Sequence, residues 1–269
     1  MHVLRILAEG FLWFLLYSVC GWIMETLLYI IVQKKVVKRG FLFGPLCPIY
    51  GVGAVLSTVL FYGRIENIFL LFLAGSAVCT VLEFMTHLVL EKLFHATWWD
   101  YSERRFNIQG RICLRNSLLF GVGIVLIVRV FQPYVMGFTA GLSDTVVYSV
   151  ALVLYSIFLL DLATTVAGLK NTVELLKNLQ EIIGEHVQKG VDTTDEYMNA
   201  LAERIRTNPN LARLAQTARG GFSPVERLKN AYPKFTMKRY KDALHVLFDR
   251  SEEDKHRDDG TQDPSEPKD

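Results

Sequence analysis

Apolar residues gather along this chain into five stretches, residues 6–32, 46–62, 68–94, 113–131 and 145–166, with short polar intervals between them. A helix crosses a hydrocarbon core roughly 30 Å thick with about 20 mainly apolar residues, because each residue rises about 1.5 Å. All five stretches qualify as spans. The first and third are over-long, which predicts tilt or an interfacial extension. Strand-type alternation is absent, and backbone amides in lipid must be satisfied internally, so the spans are expected to be helices. The pattern predicts an all-α membrane protein of about five transmembrane helices.

After Gly168 the pattern changes. Leu169, Val173, Leu176, Ile183 and Val187 recur at helical steps, predicting an amphipathic helix of about five turns. Thr193 with Glu196 reads as a capping box for a shorter helix carrying Tyr197, Leu201 and Ile205, and Ser223-Pro224 as the start of another. From Ser251 the chain is charged and lacks apolar anchors, which predicts disorder. The expected domains are therefore a transmembrane region over 1–168, a cytoplasmic amphipathic helical region over 169–250 and a charged tail over 251–269.

Charge sets the orientation. Lys34, Lys35, Lys38 and Arg39 follow the first stretch, and Arg104, Arg105, Arg111 and Arg115 follow the third against Asp100 and Glu103. The interval after the second stretch offers Arg64 against Glu66, and "QPYVMGFTAGLS" after the fourth has no charge. The positive-inside rule places both basic loops and the C-terminal region in the cytoplasm and the N-terminus outside. Arg5 and the apolar run after it resemble a signal peptide without a small-x-small cleavage site, so the first segment is expected to be a retained anchor.

A net charge of +2 points to no nucleic-acid partner. Cys20, Cys47, Cys79 and Cys113 lie in or beside apolar segments without C-x-x-C spacing, so neither a disulfide framework nor a metal site is expected. There is no phosphate-binding G-x-x-x-x-G-K-[ST] loop, no H-E-x-x-H and no G-x-S-x-G. No enzymatic activity and no cofactor are expected.

Two segments carry an internal correspondence. At a shift of 70, "GFLFGPLCPIYGVG" from Gly40 aligns with "GRICLRNSLLFGVG" from Gly110, and at a shift of 58 "IMET" around Glu25 aligns with "VLEF" around Glu83. A parallel repeat is one reading, helix 1-loop-helix 2 followed by helix 3-loop-helix 4 with about 12 extra residues in the second loop. Coincidence between apolar sequences is the other.

Glu25 and Glu83 fall inside apolar stretches, and Glu83, His87 and Glu91 share one helix face through their spacing of four. Asp161 adds a carboxylate near the inner end of the fifth stretch. A charge at bilayer depth costs from about 2.5 kcal/mol upward, so these groups should face the bundle interior, paired or protonated. Arg39, Arg111 and Arg115 are the available cations. Either the acids and His87 line a proton, ion or substrate path, or they lock helices together through the loop arginines. Glu91, near the interface, is expected to snorkel. The run "WWDYSERRFNIQGRICLRN" reads as an aromatic belt or as a folded interfacial loop, the latter favoured by Trp98, Trp99, Asp100, Tyr101, Asn107 and Gly110. In "KRGFLFGPLCPIYG", Gly40 and Gly44 permit a tight cytoplasmic turn, while Pro45 and Pro48 start helix 2 or break its first turn. Gly51 and Gly53 allow close helix approach.

The motifs "GWIMET", "KRGFLFGPLCPIYG" and "LEFMTHLVLEKLFHATWWDYSERRFNIQGRICL" together resemble the bacterial CmpB-like family labelled putative ABC transporter type IV, over roughly residues 12–130. The positions that match include Gly21, Trp22, Glu25, Arg39, Gly40, Gly44, Pro45, Pro48, Tyr50, Gly51, Glu83, Trp98, Trp99, Asp100, Tyr101, Asn107, Gly110 and Arg111. The resemblance implies a multi-spanning inner-membrane permease or permease-like subunit, and no substrate. Its ATPase would be a separate chain docking on the cytoplasmic face, and a chain this short is expected to form a homodimer within the bilayer. A membrane scaffold or regulator that recruits a cytoplasmic partner through helices in 169–206 is a competing reading, and a lipid-directed intramembrane enzyme near the WWDY loop is a third.

Overall fold

A computed structural model describes residues 2–34, 36–37, 39–188, 207, 224–232 and 234–244. The capping box at Thr193 and the tail from Ser251 lie outside the described residues. Among those described, the elements are almost all helical: α1 (His2–Gln33), α2 (Pro48–Phe61), α3 (Ile68–Phe94), α4 (Leu114–Leu126), a π-helical turn (Ile127–Phe131), α5 (Gln132–Ala140) and α6 (Asp144–Gln188). A two-residue antiparallel pair, β1 (Asn107–Ile108) with β2 (Ile112–Cys113), precedes α4. Pro224–Ala231 and Lys241–Leu244 are short helices.

Four helical segments are long and apolar enough to cross a membrane: His2–Gln33, Ile68–Phe94, Leu114–Ala140 and Asp144–Glu181. Pro48–Phe61 is apolar too, but its 14 residues extend only about 21 Å. Large apolar side chains point outward along the four, with Val3, Leu7, Ile31, Phe69, Phe138, Leu152 and Leu160 each more than half exposed. A continuous apolar exterior of this kind suits lipid and not water. This is a helical membrane protein.

Local chemistry sets the helix ends. Pro48 opens α2 where a missing N–H costs nothing, and Asn67 caps α3 by accepting from the Leu70 amide at 3.0 Å. His95 closes α3 in the left-handed conformation, its amide donating to the Glu91 carbonyl at 2.8 Å. The uncharged segment after the fourth stretch, expected to be a loop, is helical through Ala140. Pro133 would remove one hydrogen bond and press on the carbonyl four residues back, and the widened π turn just before it takes up that misfit. The connection to α6 shrinks to residues 141–143. There Arg5 on α1 bonds the carbonyls of Thr139 and Leu142 and pairs with Glu9 and Asp144, tying three helix ends together.

Packing proceeds in pairs, α1 chiefly on α2 and α3 chiefly on α4. In the first pair, a methyl added at Gly51 would stand 2.3 Å from the Phe14 carbonyl and 2.2 Å from the Ser18 hydroxyl. In the second, one added at Gly121 would stand 2.8 Å from the Phe72 carbonyl and 2.1 Å from the Ser76 hydroxyl. Backbone thus meets backbone at both crossings, the means by which helices associate where no hydrophobic effect separates them from lipid. Phe61, Leu71, Ile124 and Val128 form an apolar cluster that joins α2 to the second pair.

By contact the chain divides into two compact units, Met1–Ala167 with Leu228–Thr236, and Gly168–Arg227 with Met237–Asp269. Within the second, Leu169, Leu175, Leu176, Leu179 and Ile183 form the buried stripe of α6, and Met237, Tyr240 and Ala243 are buried as well. The Ala243 amide donates to Gln180 at 3.3 Å.

The glycine contacts make a sharp expectation. Gly51→Ala and Gly121→Ala should each lower the unfolding temperature of the detergent-purified protein, by the equivalent of about 1–3 kcal/mol of overpacking. Gly123→Ala, where an added methyl meets nothing within 4 Å, should leave it unchanged or slightly raised.

Candidate functional site

The first cluster is built on α1. Gly21 leaves room for the Tyr50 ring, since a methyl there would lie 2.4 Å from it. The ring therefore lies against α1, and one turn further on its hydroxyl donates to Glu25 at 3.0 Å. Arg39 approaches the other carboxylate oxygen at 3.5 Å, with its guanidinium over the rings of Tyr29 (5.0 Å) and Tyr232 (4.6 Å). It also donates to the Ala231 carbonyl, and Trp22 donates to the carbonyl of Arg39 itself at 2.8 Å. Gly40, at φ +100°, lets the chain turn sharply just after this arginine.

Asp161 does not join Glu25. It accepts from the amides of Phe43 (2.9 Å) and Gly44 (2.7 Å), and so pins the loop that leads through Pro45 to Pro48. A side chain at Gly44 would collide with that carboxylate, as an added methyl would stand 2.8 Å from it. Cys47, just before α2, is buried as a packing group.

The second cluster is built on α3 and the loop after it. Glu83, 4% exposed, accepts from the Tyr101 hydroxyl at 3.1 Å. Burial, reinforced by this carboxylate, raises the phenol far above its usual range, so the hydroxyl stays a donor. One turn along, His87 is 3% exposed and stacks on Trp99 at 5.2 Å. Glu83 Oε2 and both ring nitrogens of His87 are buried with no hydrogen-bond partner. Arg111 reaches Glu91 through Nη2 (2.7 Å) and Nε (3.2 Å), so Glu91 is held by a two-pronged ion pair instead of extending alone to the interface. Trp99 donates to the Arg111 carbonyl at 2.9 Å, as Trp22 does to that of Arg39. Arg115 stands apart from both clusters, exposed on α4.

The WWDY loop is folded. Asn107 donates to the carbonyls of Ser102 (3.2 Å) and Arg104 (2.8 Å) and accepts from the Gly110 amide (3.0 Å). Asp100 accepts from the Ser102 amide at 2.8 Å, and Gly110 sits at φ +69° with no space for a side chain beside that carboxylate. Trp98 is buried instead of lying in an interfacial belt. Its ring meets Phe41 (5.5 Å), Phe235 (5.3 Å) and Tyr232 (6.1 Å). Thr97 and Thr236 exchange backbone hydrogen bonds at 2.8 and 3.0 Å, and Lys234 pairs with Glu103 at 2.7 Å. Sequence reasoning missed this strap, residues 231–232 and 234–236. Its one local signal is the aromatic pair Tyr232 and Phe235, which no periodic pattern ties to Trp98.

The sequence matches the family described as "Putative ABC-transporter type IV" over residues 12–166, which takes in both clusters and most of the apolar helices. No curated protein and no solved structure matches it. The chain belongs to the "Putative ABC-transporter type IV" family, the one its motifs resemble.

Proposed function

We propose that this chain is the permease-like membrane subunit of an ABC-type transporter, and that Glu83 and His87 line its route while Glu25 and Arg39 lock the helices around it. The observation that carries this reading is the difference between the two clusters. Glu25 accepts from Tyr50 on one oxygen, and its other oxygen, though not hydrogen-bonded, faces the Arg39 guanidinium at 3.5 Å, so the acid has a countercharge. Glu83 and His87 leave three polar atoms unpartnered at under 5% exposure. Each such atom costs about 1–3 kcal/mol while it lacks a partner, and within these two clusters Glu83 and His87 are the buried titratable groups with no ion pair. A polar solute, water or proton passing between the helix pairs supplies the missing partners.

We also read the two helix pairs as a parallel repeat. In support, the residues at the two glycine crossings correspond through the shifts of 58 and 70, Phe14 and Ser18 to Phe72 and Ser76, and Gly51 to Gly121. The aligned residues Tyr50 and Phe120 meet edge to face at 6.5 Å, as equivalent positions do beside a pseudo-two-fold axis. In the same reading α2 is a fifth, short crossing. Its start shares one end of the bundle with the WWDY loop through the contact of Phe41 with Trp98, and beyond its other end the Ile65 carbonyl accepts from Arg129. Both arginine-bearing loops then face the cytoplasm, with the N-terminus outside, and an ATPase docks on that face.

A scaffold that recruits a cytoplasmic partner through its C-terminal region is the second reading. It draws on the strap, which ties Phe235 and Thr236 to the folded loop.

Three outcomes decide between them. In vesicles carrying pH- and cation-sensitive dyes, Glu83→Gln and His87→Asn should reduce flux at least tenfold with an unaltered unfolding temperature. Retained flux in both would sink the route. Glu25→Gln and Arg39→Gln should instead cost stability, about 1.5–3 kcal/mol for a lost charge-assisted bond, read from thermal unfolding. Purification of the full chain in native membrane patches should bring down a P-loop ATPase. Recovery of a partner without nucleotide-binding motifs would favour the scaffold.

A further inference from the structure

On the outer surface of the second helix pair, away from Glu83 and His87, an open groove of about 510 Å³ runs beside α4. Its volume falls in the range of small-molecule sites. Leu114, Leu118 and Val122 line it at four-residue steps, with Leu119 beside them, so the apolar stripe is about 12 Å long. One leaflet of hydrocarbon is about 15 Å deep. Arg105 and Arg115 line the same groove, Arg115 from the first turn of α4. Arg105 is fixed there because the next residue, Phe106, accepts a hydrogen bond from the Leu114 amide at 3.1 Å. Phe106 is held at φ +54° and is 69% exposed, an uncommon conformation for an aromatic residue, and the Arg105 guanidinium sits 5.6 Å from its ring.

The surrounding charges give the groove its selectivity. Glu91 is taken by Arg111, Glu103 by Lys234, and Asp100 by the Ser102 amide. Among the described residues neither Arg105 nor Arg115 has a carboxylate partner. Two guanidiniums without carboxylate partners, beside the first turn of an apolar helix whose stripe runs away from them, match a phosphate headgroup with an acyl chain along the stripe. We infer that this groove is a binding site for an anionic phospholipid of the surrounding bilayer, its phosphate held by Arg105 and Arg115 and one acyl chain lying along Leu114, Leu118 and Val122. The site does not depend on the transport reading.

Native mass spectrometry of the detergent-purified full chain tests it, with phosphatidylglycerol and phosphatidylcholine of identical acyl chains as probes. Phosphatidylglycerol should be retained preferentially. A basic side chain at an anionic surface is worth roughly fivefold, so the double variant Arg105→Gln, Arg115→Gln should weaken retention about thirtyfold, and Arg104→Gln much less. Leu118→Trp, which fills the stripe and keeps both charges, should also weaken it. Equal retention of the two lipids, or no effect of the double variant, overturns the site. So does displacement of phosphatidylglycerol by millimolar inorganic phosphate, which would mark a bare anion site. A Leu118→Trp chain that changes oligomeric mass and still retains lipid would make the groove a contact between copies instead.

Discussion

Contact of backbone with backbone at Gly51 and Gly121 sets the spacing on which the other interactions rest. In lipid, apolar side chains gain nothing by leaving one apolar medium for another, so helices stay together where their surfaces fit closely and their polar groups meet. With α2 drawn against Phe14 and Ser18, Tyr50 comes to lie on Gly21, and its hydroxyl falls at the height of Glu25. A helix held even one side chain further away would leave that carboxylate without its donor. The tyrosine reaching Glu83 comes from a loop instead, which is why the second cluster needs the folded WWDY turn and the hydrogen bonds of Asn107.

In the repeat we propose, the two halves share a plan and differ in how far it is completed. Each places an acid on its first helix, a tyrosine on that acid, and a tryptophan that donates to the carbonyl of an arginine beside a left-handed glycine. In the first half the arginine returns to the same acid. In the second the longer loop carries Arg111 past Glu83 to Glu91, two turns along α3, and His87 stands where the first half has Tyr29. The additional residues thereby separate charge neutralisation from the deepest carboxylate.

Length and hydropathy were enough to place the long helices, since hydrocarbon admits few alternatives; the expected bounds of α3 coincide with Ile68–Phe94. That a loop arginine could serve an intramembrane acid was also legible, as a basic residue just beyond a helix end can reach back to an acid within it; which arginine serves which acid was not. Other features depended on information that hydropathy does not carry. The π turn before Pro133 preserves a helix that a proline and a glycine-rich, uncharged segment make look broken. Asp161 looks like another intramembrane acid, and only the approach of the Phe43 and Gly44 amides gives it its place. The strap was invisible because its partners lie more than 130 residues away and follow no periodicity.

Trp98 is the most deeply buried of the four tryptophans, enclosed by Phe41, Phe94, Tyr232 and Phe235. Two of those four rings belong to the strap, so its detachment would open one side of the indole to water. The emission of that single fluorophore would then shift to the red. The protein thus contains an intrinsic optical gauge of whether its C-terminal segment is seated.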